Sequence, residues 1–408
     1  MGIDLAYIEL NMNGYGSHGL ELARSQGLST RFVCRRPEEY GKVDPDPTSL
    51  ADGVVQVETY DVVHLLRAVE LLAPDAVIGY DDYRLVQAAI VAAELGLPGP
   101  PPRGVLNCRF KDLTRRATAG IGYEVEHALV PLHSEVRRSP VGYPCVVKPT
   151  DDSASTGVRI CRSDEDFVDA VNSAIDHATH ARGYRCVDAV LVEEYVEGSE
   201  YSAELIWDSG REDWHLIGFT ETVMGEPPFC QEAAHLFPAH LSPELAEKLA
   251  STVLEWLHAV GHRGTAAHVE FRLRPDGRPA LMEINPRLGG GEIRRLIELT
   301  CGYDVVDLYQ RLWRGLPVEP DSGSSRPGGY AAVRYLNPPS AGLVRHVAAG
   351  PDALPHVAAS QISAIKAGGR EVSSLSRLGW VITRSDDPET ALSEAEHFHA
   401  TTRFEYAS

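Results

Sequence analysis

Glu270 and Glu283 are the residues whose type and spacing point most directly to chemistry. They sit in two strand-like runs, Thr265–Arg274 and Arg278–Asn285, joined through Pro275-Asp276-Gly277-Arg278. Asp-Gly is a preferred two-residue hairpin loop. With that loop Glu270 falls directly opposite Glu283 and His268 opposite Asn285, all four on one face because alternate residues share a face. Directly opposed β-carbons lie ~4.5–5.5 Å apart, and like charges there are destabilising. The pair therefore needs a cation, a shared proton or open solvent. Val269, Phe271, Met282 and Ile284 form the other, apolar face, so the carboxylates make a floor over a half-buried sheet. Glu, Glu and Asn offer oxygen donors, which suit a hard cation such as Mg²⁺. Pro286-Arg287-Leu288-Gly289-Gly290-Gly291 follows at once. An arginine beside such a site neutralises charge on a transferring phosphoryl group, unless it serves a structural ion pair. The glycines let backbone amides approach a ligand.

Other segments could hold phosphate. Cys145-Val146-Val147-Lys148-Pro149 is a strand ending in a lysine, followed by the small, polar run Asp151–Gly157 that includes Ser153, Ser155 and Gly157. This suits phosphate binding under a mobile loop, although GxxxxGK[ST] is absent and the segment is no P-loop. Val190–Val196 reads as a strand edge whose amides and carbonyls could read an adenine edge. A carboxylate of the Glu197-Gly198-Ser199-Glu200 run beyond it could take ribose hydroxyls. Gly14-Tyr15-Gly16-Ser17-His18-Gly19 matches GxGxxG, yet Asn11-Met12-Asn13 separates it from the first strand and Cys34-Arg35-Arg36 replaces the acid of a dinucleotide site. An NADP-dependent oxidoreductase is the reading this motif would support. A ligand-facing turn or a plain turn is the alternative.

The elements that must position these residues fall into an α/β part and an α+β part. Strands at Asp4–Leu10, Thr30–Cys34 and Ala76–Gly79 alternate with helical patterns at Ser17–Gln26, near Val62–Leu72 and at Leu85–Leu95. That rhythm predicts a parallel sheet with ligands at its carboxyl edge. From Lys111 to about Leu316 the pattern is α+β. Ser163 and Ser242-Pro243 open helices, the second carrying Leu245, Leu249, Val253 and Leu257 on one face. Asp321–Gly329 reads as a linker, and the tail holds short strands and a helix near Pro388–Phe398.

The chain has 408 residues, which suggests two to four domains. Its 43% apolar and 24% charged content is that of a soluble globular protein, and it contains no run long and apolar enough to span a bilayer. A net charge of −20 repels nucleic-acid phosphate and anionic membrane. An anionic ligand is still possible where basic residues converge. Seven cysteines without a CxxC pair argue against a disulfide framework or zinc site and fit a reducing cytoplasm, and the N-terminus lacks a basic signal-peptide region.

In this order the pieces resemble the ATP-grasp superfamily, and within it the L-amino-acid ligases of the dipeptide and bacilysin type. The resemblance runs over nearly the whole chain and is most specific at Glu270…Glu283-Ile284-Asn285-Pro286-Arg287. It implies an ATP-grasp fold with a Rossmann-like pre-ATP-grasp domain at 1–106, an ATP-grasp domain at 107–320 with a mobile lid about 115–192, and a small C-terminal α+β domain at 321–408. Lys111 and Lys148 match the nucleotide-phosphate lysines, and Ser153, Ser155 and Gly157 the phosphate loop. That loop, however, has one glycine and two leading acids. Glu193 with the backbone of Glu194 and Val196 matches the adenine hinge, and Glu200 the ribose contact. Glu270, Glu283 and Asn285 match the ligands of two Mg²⁺ ions, for which Mn²⁺ could substitute. Arg287 matches the arginine at the γ-phosphate or acyl phosphate. The run Phe229–Pro238 is similar to the loop beside the amino-acid pocket, making Glu232 and His235 substrate candidates together with His268, Gly289 and Gly290. The activity implied is an ADP-forming, carbon–nitrogen bond-forming ligase that activates a carboxylate as acyl phosphate and joins it to an amine, with Glu232, His235 or His268 as the amine's base. Expected partners are small carboxylates and amines, not nucleic acid or membrane, with a homodimer as the assembly to test. A carboxylase acting through carboxyphosphate and a nucleotide sensor without turnover are the rivals.

Overall fold

The computed structural model describes all residues except 1, 13, 154, 177–181, 226–230, 321–327, 351–353, 364, 367, 375 and 408. Most of the expected linker, and Phe229-Cys230 of the substrate-pocket run, thus lie outside the described residues.

Strands β1 (Ile3–Ile8), β2 (Thr30–Cys34), β3 (Val54–Gln56) and β4 (Pro74–Gly79) form a parallel sheet in the order β3-β2-β1-β4. Strand β3 is a short addition that the sequence pattern did not single out. Helices Tyr15–Ser25, Val62–Leu72 and Leu85–Glu94 follow β1, β3 and β4. Asp61 starts the second by accepting from the amides of Val63 and His64. Gly14 takes a φ of +85° before the first helix. A β-carbon on Gly16 would lie 2.4 Å from Leu10, and one on Gly19 2.7 Å from the Tyr80 hydroxyl. Close helix packing therefore accounts for these glycines without a dinucleotide.

The next unit is an antiparallel sheet of β5 (His127–Pro131), β6 (Cys145–Pro149), β7 (Arg159–Cys161) and β8 (Ala189–Glu194), ordered β5-β8-β6-β7. Helix Asp164–Asp176 seals one face with Phe167, Ala170 and Val171 against Val147, Val190 and Val192. Cys145 and Cys161, far apart in sequence, face each other across β6 and β7.

Strands β9 (Ser199–Asp208), β10 (Asp213–Met224), β11 (Glu232–Phe237), β12 (Ala266–Leu273) and β13 (Pro279–Asn285) belong to an eight-stranded sheet. Beyond residue 329 come β14 (Tyr330–Tyr335), β15 (Gly342–Ala348), β16 (Val357–Ile362), β17 (Arg370–Val372), β18 (Gly379–Ser385) and β19 (Arg403–Tyr406). The large sheet runs β13-β12-β9-β10-β11-β14-β18-β16, and β17-β15-β19 form a separate sheet. The sheet that carries Glu270 therefore continues into the C-terminal region, which is closed by helix Pro388–Thr401.

Helix Pro243–Val260 holds the apolar face of β12 and β13. The Ser242 hydroxyl accepts from the amide of Leu245, and Pro243 fills the first turn. Leu249, Val253, Trp256 and Leu257 are buried against Val269, Phe271 and Ile284. Each such side chain contributes about 1.5–3 kcal/mol by leaving water, which fixes this face inward and leaves the opposite face for polar groups.

The hairpin departs from its expected shape at two places. Beyond Glu270 the pairing shifts to Phe271 with Leu281 and Leu273 with Pro279. The loop is thus Pro275-Asp276-Gly277, with Gly277 at φ +76°, not two residues. Met282 is the extra residue of a bulge, and it packs with Val125, Val196 and Ala280 while Leu281 takes its expected place in the core.

Candidate active site

The bulge brings the pairs back into the expected register: Glu270 stands opposite Glu283, and His268 opposite Asn285. Like charges do not confront each other alone. Lys111 Nζ lies 3.2 Å from Glu283 Oε1, and the Asn285 side-chain amide donates to Glu270 Oε1 at 3.0 Å. His268 Nε2 is 3.2 Å from the same Glu270 oxygen, and its Nδ1 is 2.9 Å from Glu204 Oε2. Glu204 is buried and also accepts from Ser202 and Thr220. Burial disfavours the imidazolium, but Glu204 and then Glu270 outweigh it and lift His268 to about 10. In this arrangement the two carboxylates favour the imidazolium form of His268. The donor set of two carboxylates and a side-chain amide fits a hard divalent ion, and the two glutamates already hold cationic groups close by. Among the described residues no group of three His, Cys, Asp or Glu side chains is placed to hold a metal ion, so the candidate donor set is the two glutamates with the Asn285 amide.

A second cluster forms where the sheet of β5 to β8 meets helix Lys111–Ala117. Lys148, on β6, places Nζ 2.6 Å from Glu193 Oε2, and Arg115 places Nε 2.6 Å from Glu193 Oε1. All three are buried. Burial pushes the Glu193 carboxyl up, yet Arg115 and Lys148 hold it down at about 2. Lys148 is held below its ordinary value, by burial first and by the Arg115 and Lys111 cations next, with Glu193 opposing. Both directions describe one cluster in which cations outnumber the carboxylate. Lys111 also donates to the Asp152 carbonyl at 2.7 Å, which ties the helix to the segment after β6. Asp152 accepts from Tyr83 at 2.7 Å and from the Ser153 amide at 2.8 Å. Ser155 and Gly157 are exposed and take positive φ values of 55° and 72°.

Sequence reasoning missed Arg109 and Arg115. Arg115 is four residues after Lys111, on the same face of one helix, and that spacing could have revealed it. Arg109 is buried, donates Nη2 to the Asp151 carbonyl at 2.6 Å, and has no hydrogen-bond partner for Nη1. Arg115 Nη2 likewise has none. Buried donors without partners are rare and call for an explanation such as an absent ligand.

Residues 194–196 continue the chain from Glu193. Glu194 accepts from Tyr123 at 3.2 Å and from the Glu126 amide at 3.0 Å. The Val196 carbonyl accepts from Arg272 at 2.8 Å, and Arg272 also makes two 3.1 Å bonds to Glu200. Val196 packs with Met282 and Val125, an apolar patch next to these groups.

At the other end of β12 and β13, Arg287 binds Asp82 of the N-terminal region, with Nε at 2.5 Å and Nη2 at 2.8 Å. Burial disfavours its charge, but Asp82 keeps it well above the ordinary arginine value. A β-carbon on Gly289 would lie 2.8 Å from Glu204 and 2.9 Å from His268, whereas one on Gly290 would meet nothing within 4 Å. One on Gly291 would lie 2.2 Å from the Tyr335 hydroxyl and 2.9 Å from His235. His235 is buried, with Nδ1 3.1 Å from the Thr222 hydroxyl. Its Nε2 is 3.6 Å from Glu232, and Arg377 of the C-terminal region approaches the same carboxylate at 3.1 Å. His235, then Arg377, holds the Glu232 carboxyl well below its ordinary value despite burial. Arg377 also lies 3.7 Å over the Tyr335 ring. The structure thus gathers Glu270, Glu283, Asn285, His268, Lys111 and Gly289 at one centre. Lys148 and Glu193 lie across Lys111 from it, and Glu232 and His235 lie beyond the glycines.

Residues 141–294 match the family model described as an ATP-grasp domain. Carnosine synthase 1 of Gallus gallus is 30% identical over 328 residues, covering 71% of this chain and 34% of that protein. The chain spans 45% and 34% of the first two curated relatives it matches. An L-amino acid ligase from Bacillus licheniformis superposes with a TM-score of 0.82 at 20% identity, over 100% of this chain and 99% of that one. The biotin carboxylase domain of the Hydrogenobacter thermophilus 2-oxoglutarate carboxylase, solved with MgADP, ADP and bicarbonate, follows at a TM-score of 0.69 and 18% identity, over 99% and 91%. Among the described residues no helix is long and apolar enough to cross a membrane.

Proposed function

From a chain whose residues 141–294 are an ATP-grasp domain set in an ATP-grasp fold, we propose an ADP-forming ligase that joins a carboxylate, drawn from the amino acids, to an amine. The observation that carries this reading is the convergence of Lys111, Lys148, Arg115 and Arg109, two with buried unpartnered donors, in a protein of net charge −20. Such an excess of local cations suits a polyphosphate.

Lys111 and Lys148 hold the phosphates of ATP, under Ser153, Ser155 and Gly157. The patch of Val196 and Met282 receives the base, with Glu194 and Val196 supplying backbone groups. Glu200 faces the ribose. Glu270, Glu283 and Asn285 would hold Mg²⁺, in the two-ion arrangement the family resemblance implies, with Mn²⁺ as a substitute. The metal supplies charge neutralisation at the phosphates. A carboxylate oxygen attacks the γ-phosphorus, ADP departs, and Arg287 meets the charge on the transferring group. The amine then attacks the acyl carbon and phosphate leaves. Positioning and charge neutralisation do most of this work, so no nucleophilic side chain is needed. Glu232 and His235 face the substrate beside Gly289 and Gly290. With burial opposed by Glu204 and Glu270, which favour the charged form of His268, and Glu232 tied to His235 and Arg377, His235 is the base we assign to the amine. The partition at 1–106, 107–320 and 321–408, with the lid at about 115–192, and a homodimer in the cytoplasm belong to the same proposal.

The test is phosphate and ADP release from Mg²⁺-ATP over pairwise mixtures of amino acids and small carboxylates, with product masses read in parallel and bicarbonate as one arm. A mass equal to the sum of two substrates minus water supports the ligase. Turnover that needs only bicarbonate supports a carboxylase instead, and AMP with pyrophosphate would reject the acyl phosphate.

A further inference from the structure

Asp82 and Arg287 are 205 positions apart, yet they make the closest two-point ion pair of the site, at 2.5 and 2.8 Å. Asp82 stands three residues past the end of β4, at the carboxyl edge of the N-terminal parallel sheet. Arg287 spends a third N–H on the Leu288 carbonyl at 2.9 Å. A guanidinium has five N–H donors in a rigid plane, so two remain, and their direction is set by the bonds already made. The neighbouring arginine is prepared in the same way: Arg109 is fixed by the Asp151 carbonyl, feels the charges of Asp82 and Glu283, and keeps Nη1 without a partner. Two arginines anchored on one side, with donors left over on the other, describe a receptor for an oxyanion.

We propose that Asp82 is a positioning residue of this site: it aims the two remaining donors of Arg287, beside the open donor of Arg109, at the oxygens of the transferring phosphoryl group. The inference rests on the ligase reading and deepens it, because it makes the N-terminal sheet a working part of phosphoryl recognition. Asp82 touches no substrate and acts through Arg287. The opposite role for the same contact is a placeholder, in which the carboxylate occupies the seat of the phosphoryl group until it is displaced.

Nucleotide binding to the full chain separates these roles without turnover. Affinities for Mg²⁺-ADP and for the non-hydrolysable Mg²⁺-AMP-PNP are measured by calorimetry for the wild type, Asp82→Asn, Asp82→Glu, Arg287→Lys and Asp82→Asn with Arg287→Lys. A positioning role predicts that Asp82→Asn weakens AMP-PNP roughly tenfold, the loss of one well-aimed charged hydrogen bond, while ADP stays within about twofold. Asp82→Glu should recover part of the loss, and the double variant should bind no more weakly than Arg287→Lys alone. Tighter AMP-PNP binding by Asp82→Asn would establish the placeholder and overturn the proposal. Equal loss of both nucleotides, or losses that multiply in the double variant, would overturn it as a structural effect. Should Asp82→Asn not fold, Asp82→Glu against Arg287→Lys decides by the same AMP-PNP to ADP ratio. A wild type that binds neither nucleotide contradicts the ligase reading itself.

Discussion

Lys148 Nζ lies 2.6 Å from Glu193, and Arg115 holds the other oxygen of that carboxylate at the same distance. The carboxylate that the family resemblance implies at an adenine hinge is therefore committed to two cations. It keeps Lys148 in place in a buried cluster that has positive charge to spare.

This arrangement makes a pH-dependent stability prediction. The Glu193 carboxyl is depressed from 4.5 to about 2. A depressed carboxyl contributes stability above its unfolded value and loses it as pH falls through the folded one. Glu193→Gln should therefore cost about 3 kcal/mol at pH 7, and the gap from wild type should close between pH 4.5 and about 2. Urea unfolding at pH 7 and pH 3 checks this. A gap of equal size at both would show that the ion pairs do not hold the cluster together.

Lys148→Met removes one of the phosphate cations while keeping the length of the side chain. Loss of a charged hydrogen bond of about 1.5–3 kcal/mol predicts roughly 10- to 100-fold weaker Mg²⁺-ATP binding. Unchanged affinity in a folded variant would take Lys148 out of the site.

The opposed glutamates carry a metal prediction. Mg²⁺ together with ADP should raise the melting temperature of the wild type, because a ligand at about 100 times its Kd contributes about 2.7 kcal/mol. Glu283→Gln and Glu270→Gln should fold but lose most of that rise and all turnover. A full Mg²⁺-dependent shift in either variant would remove that residue from the metal site.

The glycine run separates geometry from composition. Gly291 has a φ of +61° and no room for a β-carbon beside Tyr335 and His235, whereas Gly290 faces open space. Gly291→Ala should destabilise the protein by about 1–3 kcal/mol, and Gly290→Ala should melt close to wild type. Circular-dichroism melts of the two variants decide this, and equal melting temperatures would contradict the close packing.

Much of this centre was legible in the sequence, for reasons that local physics explains. Period-two alternation set Glu270, Glu283 and Asn285 on one face. The register at the pair held only because two departures cancel, a three-residue loop and the bulge at Met282. Nothing in the alternation signals that bulge, whose effect is to send Met282 towards Val196. Lys148 stands at a strand end before a small, polar run, where local pattern suffices, whereas only the family resemblance points to Lys111. Asp82 and Arg377 were invisible because they reach Arg287 and Glu232 only through docking of the N- and C-terminal regions. The GxGxxG run is ambiguous in sequence because spacing alone does not distinguish glycines that admit a phosphate from those that admit Leu10 and the Tyr80 hydroxyl.

The central claim is that a carboxylate receives the γ-phosphoryl group before an amine displaces it. The most direct test uses a donor labelled with ¹⁸O in its carboxylate, in the substrate pair that gives a condensed product, with mass analysis of the phosphorus products. The account predicts one carboxylate ¹⁸O in inorganic phosphate for each bond formed, and none in ADP. Label appearing in AMP, or absent from phosphate while the amide forms, would contradict it.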